Sequence, residues 1–510
     1  MSLLTDMHVY VEKRDVYEYP DGSDFYSPSE KYPEYPFYHI ARQKNSVYDM
    51  VRACLVGMQL DLLHYNTPEW NPLGDIIKPG DVVALKPNLV IHKHLRNPEF
   101  GLNALITHPS ITRVVADYCM IALRGVGSLI IGDAPVQSCN WDKLIEASGY
   151  NTLLNFYKMY ELILLPKTDQ KIIFPVKLMD FRLTQSGNRR VFGIDVIYNK
   201  IKKSCSTEDY VAVNIGKDSA LMEKIEKYNQ FRITNYDPSE MIKHHNSNIN
   251  EYLISQVILN ADVVINLPKP KTHRKAGITA AMKNIIGING HKDWLPHHTK
   301  GSVYEYGDEY LNKSTLKRYH TNAIEKSDIA GINGNLARAA FWKYAAKFMF
   351  KIIKITKNNM HSEGSWWGND TIWRTICDIN RILIYADKNG NMCKTPQRKC
   401  FQIGDIIISG EGEGPLSPTP KKVGVVAAAH NPLAFDTAIC ALMGFDVEKI
   451  KSINNAYLLK HYPISQFAEN HVRLISNVIE INNIEWRSIK RAESWKYVAA
   501  NGWRGHIELI

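Results

Sequence analysis

The chain of 510 residues contains eight cysteines, but they lack the spacing of any metal-binding framework. No CxxC pair and no CxxCxxCxxxCP run occurs, so we expect neither a structural zinc site nor an iron–sulfur cluster. Cysteines without such a pattern are usually reduced and buried thiols, which is typical of proteins in a reducing compartment.

The sequence also lacks long apolar runs. No stretch of about 18 apolar residues is present, so a membrane-spanning helix is not expected. Residues 1–6 do not introduce a basic segment followed by an apolar one, as a secretory signal would. We therefore expect a cytoplasmic protein, with peripheral contact at a membrane surface as an alternative.

Signature motifs of common enzyme and nucleic-acid-binding classes are absent as well. The sequence has no P-loop, no GxGxxG fingerprint and no nucleophile elbow. It also has no zinc finger, RNP-like aromatic motif or basic-region heptads, so specific nucleic-acid binding is not expected. The net charge of +10 is a modest excess on a chain of this length, and it suits an anionic ligand or a weak attraction to acidic surfaces.

Strand and helix patterns alternate along much of the chain. A turn and a buried strand are predicted from "KPGDVVALKPNLV", a helix from "HPSITRVVADYCMIALRGVG", and a second strand with its exit loop from "SLIIGDAPV". This order is typical of a βαβ unit. The sequence therefore predicts an α/β fold with a mainly parallel sheet flanked by helices, an extended N-terminal arm and insertions.

The chain is divided into four parts by its composition. We predict an extended arm rich in Tyr, Pro, Asp and Ser (1–45), an α/β core (46–335) with an irregular insertion (151–250), a basic amphipathic helical insertion (336–365), and the remainder of the core with a C-terminal tail (366–510).

The helical insertion carries a distinctive charge pattern over 336–357. Helical periodicity places four lysines on one face and four large apolar side chains on the opposite face: Lys343, Lys347, Lys351 and Lys354 against Phe341, Phe348, Ile352 and Ile355. Such a helix can lie in a membrane interface. The alternative is a helix docked on the body of the protein with its lysines in water.

Polar side chains follow each predicted strand of the core. In open α/β sheets, ligands bind beyond the carboxyl ends of the strands, so these residues are the candidates for a site. We predict catalytic roles for Lys271, His273, Asp133 and Glu413, and substrate-binding roles for Lys86, Asn88, Lys269, Lys283 and Asn284.

The segment 269–273 is the most specific of these exits. In an extended chain Lys269, Lys271 and His273 point to the same side, and the intervening prolines favour that extended form. Two ammonium groups beside an imidazole would bind an anion and lower one another's proton affinity. The alternative is a solvated loop. Amide groups at the start of the helix that carries Lys283 are also expected to favour an anion.

Three carboxylates form a candidate metal site. Asp133, Glu411 and Glu413 supply the oxygen ligands that Mg²⁺ or Mn²⁺ prefer, although the same groups could instead pair with the lysines. Adjacent histidines rarely share one metal ion, so we expect His297 and His298 to lie in a surface loop.

Seven blocks of the chain together resemble one family. In order they are "VALKPNLV", "THPSITRVVADY", "IIGDAP", "ADVVINLPKPKTH", "ITAAMKNIIGI", "GEGEGPLSPTPKKVGVV" and "NPLAFDTAICALMGFD". This order and spacing, across roughly 80–445, is similar to the family called domain of unknown function 362. The resemblance implies an α/β fold and a shared site at Lys86, Asp133, Lys271, His273, Lys283 and Glu413. Many members of that family carry a ferredoxin-like iron–sulfur module, whose cysteines are missing here.

These features together predict an enzyme whose class the sequence leaves open. We expect a small anionic substrate (a carboxylate, a phosphate or a nucleotide-linked sugar) and acid–base chemistry of the isomerase, lyase or transferase type. One alternative is a redox-linked or ligand-binding protein that works with a separate electron-transfer partner. Another is a peripheral membrane protein that acts on lipid-linked substrates.

Overall fold

The computed structural model describes residues 3–164, 171–202, 209–234, 237–356 and 362–510. Its strands are β1 His8–Lys13, β2 Val82–Pro87, β3 Ser128–Asp133, β4 Leu162–Ile163, β5 Lys171–Ile172, β6 Val176–Asp180, β7 Thr184–Val191, β8 Ile194–Lys202, β9 Tyr210–Asn214, β10 Phe231–Arg232, β11 Glu251–Ser255, β12 Val263–Leu267, β13 Lys271–His273, β14 Gly277–Thr279, β15 His298–Thr299, β16 Lys399–Glu413, β17 Ser417–Ala429, β18 Arg473–Ser476 and β19 Ile484–Glu485. Its α-helices are α1 Ser46–Gly57, α2 Pro109–Leu123, α3 Trp141–Ser148, α4 Tyr150–Met159, α5 Pro238–His244, α6 Gln256–Asn260, α7 Ala281–Asn284, α8 Thr315–Ile332, α9 Leu336–Ile355, α10 Ile372–Tyr385, α11 Pro432–Met443 and α12 Lys451–Asn454.

A large mixed sheet forms the centre of the fold, in the order β19-β18-β1-β17-β16-β12-β2-β3-β6. Strands β16, β12, β2, β3 and β6 are parallel to one another, whereas β17 runs antiparallel to both β16 and β1. The predicted βαβ unit is β2-α2-β3. The α/β fold with a mostly parallel sheet is thus confirmed.

Helices cover both faces of the sheet because successive strand residues point to opposite sides. In β2, Val83 and Leu85 pack into one core with residues of α1, α2 and α4. Ala84 between them packs into the other core with residues of α10 and α11. Burial on both faces explains why these strands read as continuous apolar runs.

The predicted N-terminal arm contributes a strand to the main sheet. In β1, Val9 is registered opposite Ala429 of β17, and His8 is registered beside Arg473 of β18. The first residues of the chain therefore join strands from its last hundred residues.

The irregular insertion and the helical insertion meet in a small satellite core. The hairpin β7–β8 contributes Ile194 and Val196, which pack with alanines of α8 and α9: Ala330, Ala339 and Ala340. Residues 357–361, which belong to the predicted helical insertion, lie outside the described residues.

Helix α9 is docked on the body with Lys347, Lys351 and Lys354 exposed, as in the docked alternative, but it docks through a face other than the predicted apolar one. Its buried side chains are Ala339, Ala340, Ala346 and Ile353, so the helix packs through a mostly small face. The large side chains Phe341, Phe348 and Ile355 are exposed. The small side chains of this face let α9 pack closer to its neighbours than the predicted face of large apolar side chains would. Among the described residues, no helix combines the length and the apolar character needed to cross a bilayer.

Candidate functional site

The carboxyl ends of β2 and β3 bring two predicted site residues together. Lys86 lies near the end of β2, where it pairs in register with Asn266 of β12. Asp133 is the last residue of β3. Their side chains form a buried ion pair, with Lys86 Nζ 2.8 Å from Asp133 Oδ1. The backbone N–H of Leu89 donates to the other carboxylate oxygen at 2.6 Å. The strand order therefore places an acid and a base at one edge of the sheet.

The short helix α7 closes this edge through Asn284. Its side-chain amide donates to Asn266 Oδ1 at 2.7 Å and to the backbone carbonyl of Lys86 at 3.1 Å. Its carbonyl oxygen accepts from Asn88 Nδ2 at 2.8 Å. Asn88 and Asn284 therefore fix the strand ends and α7 in one polar network.

Lys271 joins the same network from β13. Its Nζ donates to Asn88 Oδ1 at 3.0 Å and also to the backbone carbonyl of Leu105. Burial, reinforced by the charge of Lys269, holds the pKa of Lys271 well below its usual range. The buried amine of Lys271 is therefore held by two uncharged hydrogen-bond acceptors and not by a carboxylate.

Gly287, in the turn after α7, is required by the tightness of this packing. A Cβ at this position would lie 1.9 Å from Asp133 Oδ1 and 2.6 Å from Lys86 Nζ. The backbone carbonyl of Gly287 also accepts a hydrogen bond from the N–H of Ala134 at 2.9 Å. Glycine therefore lets the chain pass directly over the ion pair.

A cavity of about 140 Å³ opens above these residues. Its polar lining comes from strand exits, α7 and the loop that follows α7: Asn88, Asp133, His273, Thr279, Lys283, Asn284, Lys292 and His297. Asp133 is the one carboxylate among the described lining residues, and it is paired with Lys86. The cavity is therefore rich in cations and has little negative charge of its own.

Two lysines of the cavity have no carboxylate partner. Within the described part of the chain, Lys283 forms no hydrogen bond or ion pair, and Lys292 donates only a long hydrogen bond of 3.4 Å to the Ile286 carbonyl. Burial, reinforced by Lys275 and Lys86, lowers the pKa of Lys283 to about 7. Burial lowers the pKa of Lys292 to about 7 as well, and Asp133 opposes that effect. Both amines can therefore gain or lose a proton near neutral pH.

The two histidines of the cavity use their Nδ1 atoms in opposite ways. His273 Nδ1 accepts from the backbone N–H groups of Lys275 and Ala276, at 3.0 and 3.1 Å. His297 Nδ1 lies 2.8 Å from the Leu295 carbonyl, which can only accept. Burial and the charge of Lys283 lower the pKa of both imidazoles well below the usual range. The neutral rings are thus set with Nε2 as a donor in His273 and as an acceptor in His297.

Thr279 adds an uncharged donor to the same cavity. Its hydroxyl is buried and has no hydrogen-bond partner among the residues that the structure describes. A buried hydroxyl without a partner is costly, and a ligand oxygen would satisfy it.

Of the three residues predicted to form one joint anion site, only His273 lines the cavity among the described residues, whereas Lys269 and Lys271 do not, so that prediction and the catalytic role predicted for Lys271 lack support from the geometry. Lys269 Nζ instead lies 3.0 Å from Asp405 Oδ2 in a fully buried pair. It also donates at 2.6 Å to the hydroxyl of Tyr19, which itself donates to Asp405 Oδ1 at 2.5 Å. Lys269 thus ties the N-terminal segment to β16, and the carboxylate that faces it explains its different position.

The predicted three-carboxylate metal site is not assembled. Glu411 accepts from the N–H of Val498 and pairs with Lys421, while Glu413 accepts from the N–H of Asn501. Both contacts hold the C-terminal tail, whereas Asp133 pairs with Lys86. Within the described ranges, no group of three His, Cys, Asp or Glu side chains is placed to hold a metal ion. Glu413 is absent from the cavity lining, so its predicted catalytic role has no support from the geometry.

The start of α7 is also different from the expectation. The N–H groups of Ala281 and Met282 donate to Asp436 at 2.6 and 3.2 Å, so a carboxyl group of the protein already occupies this helix start. Burial raises the pKa of Asp436 to about 8, against the effect of those two hydrogen bonds. An anionic ligand is therefore expected at the Lys283 side chain and not at the backbone of α7.

Three polar residues of the cavity were not among the predicted site residues: Thr279, Lys292 and His297. His297 and His298 were expected in a surface loop, which is wrong, because His298 is buried and His297 lines the cavity. The density of Lys, His and Trp in "GHKDWLPHHTKG" was the available signal. The loop has no strand or helix period, so periodicity did not reveal its position.

Comparison with known families settles the relationship of the chain. A family model described as "Domain of unknown function (DUF362)" matches residues 182–441. The chain belongs to the DUF362 family. The predicted resemblance is thus confirmed, and the DUF362 match includes His273, Lys283 and Lys292, which line the cavity.

Similarity to individual proteins is weak for this DUF362 chain. No curated protein matches it. A crystal structure of a Thermotoga maritima protein, solved by a structural genomics consortium, matches with 8% identity and a TM-score of 0.27. The match covers 69% of this chain and 51% of that one, so the chain spans about half the length of the solved structure.

Proposed function

We propose that this protein is an enzyme that binds a small anionic substrate in the cavity at the ends of β2 and β3. The observation that carries the proposal is that Lys283 and Lys292 line the cavity and, among the described residues, neither forms an ion pair with a carboxylate. Lysines that are largely removed from water, as buried Lys292 and partly buried Lys283 are, are normally paired, and an anion would supply the missing charge. Binding would therefore remove the electrostatic cost of two adjacent cations.

Acid–base catalysis is favoured over simple binding by the proton affinities in the cavity. Lysines with a pKa of about 7 exchange protons readily at neutral pH. His297 offers an accepting Nε2 and His273 a donating Nε2, so one substrate could lose a proton to one ring while the other ring stabilises developing negative charge. We therefore propose proton transfer, as in an isomerase or a lyase, with Lys283 and Lys292 as the anion-binding groups.

The size of the cavity favours a small carboxylate or phosphate over a nucleotide-linked sugar. Its volume is about 140 Å³. Sites for larger ligands usually measure about 300–1,000 Å³. Because the predicted carboxylate set is not assembled, no step is assigned to Mg²⁺ or Mn²⁺. A cytoplasmic location agrees with the seven described cysteines, all of which are free thiols.

A thermal-shift screen of small carboxylates and phosphates tests the proposal. A ligand of the cavity should raise the melting temperature of the wild type but not of Lys283→Met. Lys394→Met is the matched control, because Lys394 is exposed and has no ion pair among the described residues. If every stabilising compound acts equally on wild type and Lys283→Met, the assignment of the anion site fails.

A further inference from the structure

The outward face of α9 is both basic and apolar. Phe341 and Phe348 are 64% and 65% exposed, and Ile355 near the end of the helix is 79% exposed. Lys347, Lys351 and Lys354, which are adjacent to these side chains around the helix, are exposed as well, and the helix contains no acidic residue. We call this surface the basic aromatic face, and it consists of Phe341, Phe348, Ile355, Lys347, Lys351 and Lys354.

The tip of the hairpin β7–β8 extends this face. Phe192 at the tip is 77% exposed, and its backbone carbonyl accepts a hydrogen bond from the hydroxyl of Tyr344 on α9. Arg190, close to the tip, is exposed too. Aromatic and cationic side chains from two elements are therefore presented together.

Packing within the chain does not explain these side chains. Helix α9 already docks through Ala339, Ala340, Ala346 and Ile353. Lys343 lies towards the packed side, where its charge lowers the pKa of Asp328 against the effect of burial. The apolar residues of the basic aromatic face thus remain in water, although single solvated helices normally expose polar residues there.

We infer that the basic aromatic face docks on an anionic membrane surface. The large side chains would enter the boundary between headgroups and acyl chains, and the lysines would lie among acidic headgroups. A second copy of this chain fits poorly, because it would bring two sets of like charges together. Aliphatic Ile355 beside the two phenylalanines fits lipid better than a nucleic acid, whose bases stack on aromatic rings. This inference is independent of the proposed chemistry in the cavity.

Vesicle flotation with the full chain tests the inference. The wild type should float with vesicles containing roughly 30 mol % phosphatidylserine and remain largely in solution with pure phosphatidylcholine. Salt at about 0.5 M should weaken the association because it screens the lysines. The variant Lys347→Glu/Lys351→Glu/Lys354→Glu should reduce the partition coefficient about tenfold or more, and Phe341→Ser/Phe348→Ser about tenfold.

Two matched controls separate local from general effects. Lys31→Glu/Lys394→Glu/Lys460→Glu changes the net charge equally at exposed lysines elsewhere, and Leu63→Ser/Ile479→Ser removes two exposed apolar residues elsewhere. Both controls and Lys283→Met should float like the wild type. Absence of wild-type flotation, or equal losses in the controls, would overturn the inference. Displacement of the protein from vesicles by RNA that binds the same face more tightly would overturn it in favour of a nucleic-acid surface.

Discussion

Two pairs of lysines near the same sheet edge differ in whether a carboxylate faces them; Lys86, Lys269 and Lys292 are buried and Lys283 is partly buried. Lys86 and Lys269 each face an aspartate, at 2.8 and 3.0 Å. Lys283 and Lys292 face a cavity and no carboxylate partner among the described residues. Burial lowers the pKa in all four cases, but the aspartates oppose it for the first pair, whereas neighbouring lysines reinforce it for Lys283.

This difference separates lysines that hold the fold together from lysines that await a ligand. A buried ion pair contributes little net stability, yet removal of one partner leaves an uncompensated charge. A lysine without a partner is already uncompensated, so its removal should cost the fold nothing while it removes the attraction for an anion. Substitution of Lys86 or Lys269 should therefore lower the free energy of unfolding, whereas substitution of Lys283 or Lys292 should lower the affinity for an anion.

The largest effect is expected for Lys269→Met. It leaves Asp405 buried without its cation, and the free energy of unfolding should fall by about 3–5 kcal/mol. Urea denaturation measures this change. The double variant Lys269→Met/Asp405→Leu removes both charges and should recover most of the loss. If the double variant is as unstable as the single one, packing and not charge explains the effect.

Gly287→Ala should destabilise the protein less, by about 1–3 kcal/mol, because its Cβ would collide with the Lys86–Asp133 pair. The same urea experiment gives the value. An unchanged free energy of unfolding would mean that the side chains of Lys86 and Asp133 can move to make room for the added methyl group at little cost.

Lys283→Met should leave the free energy of unfolding within about 0.5 kcal/mol of the wild type or raise it. The physical reason is that it replaces a partly buried cation, which has no ion pair among the described residues, by an apolar side chain of similar length. Lys269→Met under identical conditions provides the comparison. A loss as large as that of Lys269→Met would show that Lys283 also has a structural partner.

The smallest effect concerns pH. The folded state lowers the pKa of Lys283 from its ordinary value near 10.5 to about 7, so between these values the unfolded chain binds more protons. The free energy of unfolding should therefore rise with pH from about 7 towards 10, by a few tenths of a kcal/mol per pH unit. Lys283→Met should show a shallower rise in urea titrations at several pH values. Parallel curves for the two proteins would indicate that Lys283 does not titrate in this range.

The sequence predicted the fold and part of the site because both depend on local patterns. Apolar runs identify buried strands, and the residues that end them, such as Lys86 and Asp133, meet wherever parallel strands are neighbours. His273 and Lys283 were found in the same way. The resemblance to the DUF362 family implied the same residues as a shared site, but it implied no reaction.

The pairing of the lysines was not predictable, since their partners are distant in sequence. Asp405 lies inside β16, where the pattern reads as another buried strand, and Tyr19 comes from the N-terminal segment. Lys292 and His297 lie in a loop without periodicity, so only the folded chain shows that they line the cavity. The side chain of Lys269 points towards Asp405, with which it forms an ion pair. The alternation of side chains along an extended segment does not predict that direction.

Proton uptake on anion binding tests the central claim most directly. A bound anion should return the pKa of Lys283 and Lys292 towards ordinary values, so the protein should take up protons at about pH 8. Calorimetric titration with sulfate, in two buffers of different ionisation enthalpy, measures that uptake, and the strongest compound of the thermal-shift screen provides a second ligand. We predict uptake for the wild type and a clear reduction for Lys283→Met. Binding without proton uptake, or equal uptake in both proteins, would contradict the claim that these unpaired lysines form the anion site.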